Sequence, residues 1–360
     1  MPTNDFGTLV FDSRTGAKLL GLASNKVPTS CAEFSEDGRL IATAGYDGTI
    51  RLWSMPAGRL LSVLPGHRSA VHNLAFSPNG QVLVSRAQDG EVREWSLAKL
   101  SSVETLRIHK GEVVRLELSP DATRMATSSM DGTVVLYDVP RRRVLRRIEA
   151  GPIERAHAIA FSNDGALLAV SLPGGAVGLY DAKSGAERLV LRGHSQQVKR
   201  VQFCDGDRKL LTVSDDGTAK VWGLGDGSEL ARYNPAEGVA EAAIDRSGRY
   251  VALALKNFTV QLHDLKAVSL VANWQVHRAR IYAIEFSPDG KTIATTSYDE
   301  SASLLPVSGG APKTLNGHMG RMWEAQFSAD GTKLLTNSYD GTARLWNVRT
   351  GRPIAVMRHD

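Results

Sequence analysis

The sequence predicts an all-β fold: a single β-propeller of eight four-stranded blades over residues 1–360, with seven blades as the competing count. Three observations predict it. A short polar turn recurs every 41–43 residues, an aspartate keeps phase with it, and no stretch of a dozen residues carries helical periodicity. Short, evenly spaced strands in units of roughly 40–45 residues are the signature of propeller blades.

The turn has the form Ser-x-Asp-Gly. It reads SEDG at 35–38, SPNG at 77–80, SPDA at 119–122, SNDG at 162–165, SPDG at 287–290 and SADG at 328–331. Two worn copies, CDGD at 204–207 and DRSG at 245–248, keep the step. Nine residues after each turn stands Asp47, Asp89, Asp131, Asp216, Asp299 or Asp340, with Gly174 and Asn257 in the two degenerate copies.

Four strands follow in each copy. An alternating apolar run precedes the turn, as in VHNLAF at 71–76 and IYAIEF at 281–286. A buried run follows it, as in RLIATA at 39–44. Asp-Gly then forms a tight hairpin, because both residues tolerate the positive φ such a turn needs. TIRLW at 49–53 supplies a third strand and RLLSVL at 59–64 a looser fourth.

These residues resemble the WD-repeat family. The second copy carries Gly66-His67, Asp89-Gly90 and Trp95; the fifth Gly193-His194, Asp216-Gly217 and Trp222; the eighth Gly317-His318, Asp340-Gly341 and Trp346-Asn347. Tyr137-Asp138 and Tyr180-Asp181 stand where a literal Trp-Asp pair would. The regular turns are similar to those of bacterial WD-repeat proteins. The resemblance covers nearly the whole chain.

Spacing is its specific part. His67, His109, His194, His277 and His318 precede their aspartates by 22 residues. Thr43, Ser85, Thr127, Thr212, Thr295 and Thr336 stand four before, and Trp53, Trp95, Trp222 and Trp346 six after. The resemblance implies a hydrogen-bond chain from indole to hydroxyl to imidazole to carboxylate. A buried indole N–H needs an acceptor and a buried carboxylate needs donors. The network is expected to be incomplete where Asn25 replaces His, Tyr137 or Leu305 replaces Trp, and throughout blades 4 and 6, which should be the least rigid.

Ser, His and Asp in one blade could be mistaken for a hydrolytic triad. A triad is needed once, whereas this set repeats, and no nucleophile elbow accompanies it. Each blade offers only two metal ligands in this motif, His and Asp. No catalytic residue, metal or cofactor is expected.

Ring closure is complicated by surplus strands. Thr8–Phe11 and Lys18–Leu22 repeat the third and fourth strands of a blade, with Phe11 42 residues before Trp53 and Gly16 42 before Gly58. Residues 7–23 are expected either to take part in closing the ring or to be the remnant of a longer array. Cys31 and Cys204 are too few for a disulfide framework, and a reducing, cytoplasmic setting fits them. No basic-then-apolar leader opens the chain, and no run of about 18 apolar residues suggests a membrane span.

Function must reside on a surface. The residues just before the hairpin aspartates are expected on the rim: Tyr46, Gln88, Met130, Pro173, Asp215, Lys256, Tyr298 and Tyr339. The loops entering blades 7 and 8 add Arg280, Tyr282, Arg321 and Trp323. Tyr, Trp and Arg dominate binding hot spots. Tyr46, Arg280, Tyr282, Tyr298, Arg321, Trp323 and Tyr339 are therefore the expected protein-binding set; the competing reading is packing between blades. Trp274 is expected to serve such packing.

A second surface is basic. Arg141, Arg142, Arg143, Arg146 and Arg147 crowd one outer strand, where cations also discourage edge pairing. The formal net charge of +5 and pI near 9.2 favour acidic partners only mildly. The expected function is a non-catalytic protein-interaction scaffold or sensor propeller, as part of a larger protein or complex. An anionic-surface or nucleic-acid binder is the alternative, and an enzyme using the central channel comes last. No glycine-rich phosphate loop occurs in the chain.

Overall fold

The computed structural model describes residues 7–22, 27–77, 79–99, 101–151 and 158–358. Eight four-stranded antiparallel sheets account for nearly all of them, each with its strands in simple sequence order. They are blade 1 (29–64), blade 2 (71–106), blade 3 (113–149), blade 4 (159–191), blade 5 (198–233), blade 6 (239–275), blade 7 (281–315) and blade 8 (322–358). The expected all-β class and the count of eight hold. The single helical element among the described residues is a 3-10 turn at Pro173–Gly175. Among the described residues, no helix is long and apolar enough to cross a membrane.

The chain divides into two compact units. One comprises Leu19–Arg192 with the residues up to Val10; the other comprises Gly193–His359 with Phe11–Lys18. Blades 1–4 belong to the first and blades 5–8 to the second. Within each, the apolar faces of consecutive blades interlock. In the first, Leu52 and Leu64 of blade 1 meet Val71, Leu74 and Trp95 of blade 2. In the second, Trp274 of blade 6 packs with Ile281, Ile284 and Leu305 of blade 7, and its indole donates to the Gly310 carbonyl at 3.1 Å.

The recurring turn is built by its own side chains. In blade 7 the Ser287 hydroxyl donates to Asp289 at 2.6 Å and accepts the Thr292 amide at 3.0 Å. Asp289 in turn accepts the Lys291 amide at 3.1 Å. This closed set explains why Ser and Asp recur at fixed spacing.

Thr8–Phe11 and Lys18–Leu22 form a two-stranded sheet of their own. Asp12 accepts the amides of Arg14 and Thr15 at 2.8 and 2.7 Å, and Gly16 has φ +72°. Asn347 with Gly351 and Asp181 with Gly185 build the same turn inside complete blades. In the first unit Val10, Leu20 and Leu22 cover Ile41 and Trp53 of blade 1. In the second, a Cβ at Gly16 would meet the Ala355 side chain at 1.8 Å.

Both cysteines are free, and burial pushes the Cys31 thiol up to about 11 and Cys204 up to about 12. Neither is poised as a nucleophile at neutral pH.

Candidate functional site

The four-membered hydrogen-bond chain forms completely in blades 2, 5 and 8. In blade 5 the Trp222 indole donates to Thr212 at 2.9 Å, the Thr212 hydroxyl donates to His194 Nε2 at 2.7 Å, and His194 Nδ1 donates to Asp216 at 3.1 Å. Blade 2 repeats it through Trp95, Ser85, His67 and Asp89, and blade 8 through Trp346, Thr336, His318 and Asp340. Blades 3 and 7 keep the hydroxyl–imidazole pair without tryptophan. In blade 1, Trp53 still donates to Thr43 at 3.0 Å, while Arg51 pairs with Asp47. Asn25, at the His position there, lies outside the described residues.

Two further members escaped the sequence reading. The backbone amide after each histidine donates to the same aspartate, as Ser195 does to Asp216 at 2.9 Å. A hydroxyl two residues after the aspartate bridges it to the imidazole: Thr218 lies 2.7 Å from Asp216 and 2.9 Å from His194 Nδ1. The recurrence of Asp-Gly-Thr at 47–49, 131–133, 216–218 and 340–342 was the available signal.

Burial, opposed by the aspartates, holds His67, His109, His194 and His318 below the usual imidazole range. Burial pushes the other way on the carboxylates, but the donors around Asp131 and Asp216 win and hold both near about 2. Each pair is thus a neutral imidazole donating to a carboxylate. The set binds the blade's entry loop to its hairpin.

In blade 2 a third potential ligand joins the motif. Donor atoms of His67, Asp89 and Glu91 lie within 4.8 Å of one another. The two-ligand count from sequence missed Glu91. Its carboxylate is held by Arg93 at 2.8 Å and Arg107 at 3.0 Å, two cations that oppose a third.

Six of the seven expected binding residues lie in the second unit, and five of them form one cluster. Tyr282 stacks with Tyr298 at 5.8 Å between ring centroids and meets Trp323 edge-on at 4.6 Å. Trp323 also contacts Tyr298 at 5.8 Å and Tyr339 at 5.0 Å. The Arg321 guanidinium sits 5.0 Å above the Tyr298 ring. The amides of Tyr298 and Tyr339 donate to the carbonyls of Arg280 and Arg321, each at 3.0 Å, so entry loop and hairpin move as one. Tyr339 remains 66% exposed and Tyr282 38%. Arg280 is exposed beside them. Tyr46 belongs to the first unit, where it is 57% exposed and meets the His72 ring edge-on at 6.4 Å.

The arginine-rich strand is more occupied than its sequence suggests. Arg141 pairs with Asp138 at 3.2 Å and Arg142 with Glu94 at 3.4 Å, while Arg147 donates to the Ile108 carbonyl. Three of its five cations are thus tied to their own unit.

Fold and network together define a repeat protein whose blades share one hydrogen-bonded motif. The model of the WD domain, G-beta repeat, matches residues 20–54, 58–96, 100–138, 185–223, 268–304 and 309–347, more than half of the chain. The protein belongs to this WD40 family. The unmatched stretches contain the hairpins of blades 4 and 6, where the network is missing.

Among curated relatives, the SIR4-interacting protein SIF2 of Saccharomyces cerevisiae is 25% identical over 293 residues, which is 78% of this chain and 46% of that protein. The guanine nucleotide-binding protein subunit beta of Solanum tuberosum is 27% identical over 143 residues, 36% of this chain and 38% of that one. Apoptotic protease-activating factor 1 of Danio rerio is 27% identical over 145 residues, 40% of this chain and 12% of that one. The chain spans less than half the length of each.

Two solved structures share the fold. The C-terminal WD40 domain of Sif2 superimposes with a TM-score of 0.69 at 19% identity, covering 87% of this chain and 94% of that one. The computationally designed Ika8 protein gives 0.69 at 22% identity, covering 91% and 99%. WD40 propellers serve generally as protein-interaction scaffolds.

Proposed function

We propose that this chain is a non-catalytic scaffold that binds partner proteins through the rim of its second unit. One observation carries the reading: four aromatic rings in mutual contact, capped by a guanidinium, stand on a solvent-facing surface. Aromatic residues cost little conformational entropy to immobilise, and clustered Tyr, Trp and Arg are the side chains that most often dominate interfaces. The surface joins the entry loops of blades 7 and 8 to their hairpins, and both are held by the buried imidazole–carboxylate pairs beneath. The network thus serves function indirectly, by fixing the loops. The name of the SIF2 relative, a SIR4-interacting protein, fits a role in complexes.

The test compares capture of proteins from lysate by the parent and by the Tyr298→Ala/Arg321→Ala/Trp323→Ala/Tyr339→Ala variant, matched in melting temperature. A partner retained by the parent and lost by the variant is expected, since anchors of this kind typically contribute about 2 kcal/mol or more each. Equal capture by both excludes this rim as the binding surface.

A further inference from the structure

The rim carries cations that form no ion pair among the described residues. On blades 5 and 6, Lys199 lies 3.9 Å from both Asp215 and Glu241, and Arg200 lies 3.7 Å from Glu241. Those two cations are matched. Lys256, Arg280 and Arg321 are exposed and form no ion pair with a described carboxylate. Arg280 and Lys256 are close to the matched set, since Lys199 feels the repulsion of both. Two of them adjoin the rings: Arg321 covers Tyr298 and the charge of Arg280 acts on Tyr282.

We infer that the segment taken by this rim is an acidic peptide, whose carboxylates face Lys256, Arg280 and Arg321 and whose apolar side chain rests against Tyr282, Trp323 and Tyr339. This rests on the rim reading above and adds the chemistry of the partner. Charge complementarity carries it: a surface with unpaired cations beside an apolar anchor selects sparse carboxylates on an apolar backbone.

Two features argue against a nucleic-acid strand at the same place. Tyr298 lies under Arg321 and stacks with Tyr282, and Trp323 stands edge-on to Tyr282, so these rings are engaged with one another rather than splayed for successive bases. Glu241 and Glu324 stand among the cations and both act on Tyr282. A continuous phosphate chain would meet their repulsion, whereas spaced carboxylates can avoid it.

The experiment is fluorescence anisotropy on the intact chain with four labelled probes. They are a short Asp/Glu-rich peptide with a central Leu-Pro pair, its Asn/Gln counterpart, the acidic peptide with glycines at its centre, and a single-stranded oligouridylate. The acidic peptide is expected to bind saturably. The amide and glycine versions are each expected to bind at least about tenfold more weakly, as is the acidic peptide to Lys256→Ser/Arg280→Ser/Arg321→Ser. Arg143→Ser/Arg146→Ser, which removes two cations from the first unit, should leave binding unchanged. The inference is overturned if the acidic peptide does not bind, if its amide counterpart binds equally, if the triple variant is unaffected, or if oligouridylate binds in preference. Failure here, with lysate capture still lost in the aromatic variant, rejects the acidic chemistry and leaves the rim standing. Loss of neither rejects both.

Discussion

His194 shows how a titratable residue is turned into a structural one. Its ring accepts from Thr212, donates to Asp216 and is shut away from water. Protonation would put a charge in a buried site and remove the acceptor that Thr212 needs. Four such histidines have imidazole pKa values lowered on folding, so the unfolded chain takes up protons that the folded chain refuses. Stability contributed this way is complete above the unfolded value of about 6.5 and is lost as pH falls through the lower folded values. A second loss follows below about 3.8, as Asp131 and Asp216 protonate toward their folded values near about 2. The urea midpoint should therefore fall on acidification from pH 7 to 5; a flat or rising midpoint would contradict the neutral-imidazole assignment. Trp222→Phe removes one buried donor and should cost about 1 kcal/mol in the same assay. These roles were legible because 22-, four- and six-residue spacings repeat. The bridging Thr218 was not singled out, because a threonine opening a strand looks like an ordinary β-former until its hydroxyl is placed.

At the scale of the element, the hairpins tell where the sequence departs from its own pattern. The position after the hairpin aspartate has positive φ: Gly48, Gly90, Gly132, Gly217 and Gly341 take φ between 75° and 82°. Glu300 holds it at 69° in blade 7 and Phe258 at 71° in blade 6. A side chain there is strained. Glu300 is exposed, so Glu300→Gly removes strain with little packing loss and should stabilise by about 0.5 kcal/mol, net of glycine's greater unfolded-state freedom. A lower melting temperature in that variant would refute this. In the first unit Val10, Leu20 and Leu22 of the N-terminal strands cover blade 1. Leu22→Ala uncovers Trp53 and Ile41 and should lower stability by about 2–5 kcal/mol. Strand order and most strand bounds could be read from alternation and turns: VHNLAF and RLLSVL are the strands Val71–Phe76 and Arg59–Leu64. The degenerate blades were harder. In blade 4 the hairpin becomes the 3-10 turn Pro173–Gly175, and in blade 6 Asn257 caps Thr259 in place of an aspartate. Apolar contacts such as Tyr180 with Ile159 and Leu168 replace hydrogen bonds in blade 4. Amide hydrogen exchange should be faster in blades 4 and 6 than in blades 2, 5 and 8, where the loops are locked.

At the scale of the molecule, the repeat made the fold readable while the proposed binding surface was only half so. Residues before the hairpin aspartates could be placed on a rim by phase alone. Which of those in the second unit touch depends on loop heights and ring orientations that spacing does not encode. Net charge was an equally blunt guide. The +5 balance includes residues such as Arg141 and Arg142, whose charges are consumed by local pairs, whereas Arg321, which forms no ion pair among the described residues and lies over Tyr298, carries more information.

Partners are proposed to bind at the aromatic rim of the second unit. A photo-crosslinking amino acid placed at Tyr339, and separately at Arg143, tests it on the folded chain in lysate. A discrete crosslinked protein is expected from Tyr339 and none from Arg143. Crosslinking from Arg143 with nothing from Tyr339 would contradict it and move the binding surface to the arginine-rich strand.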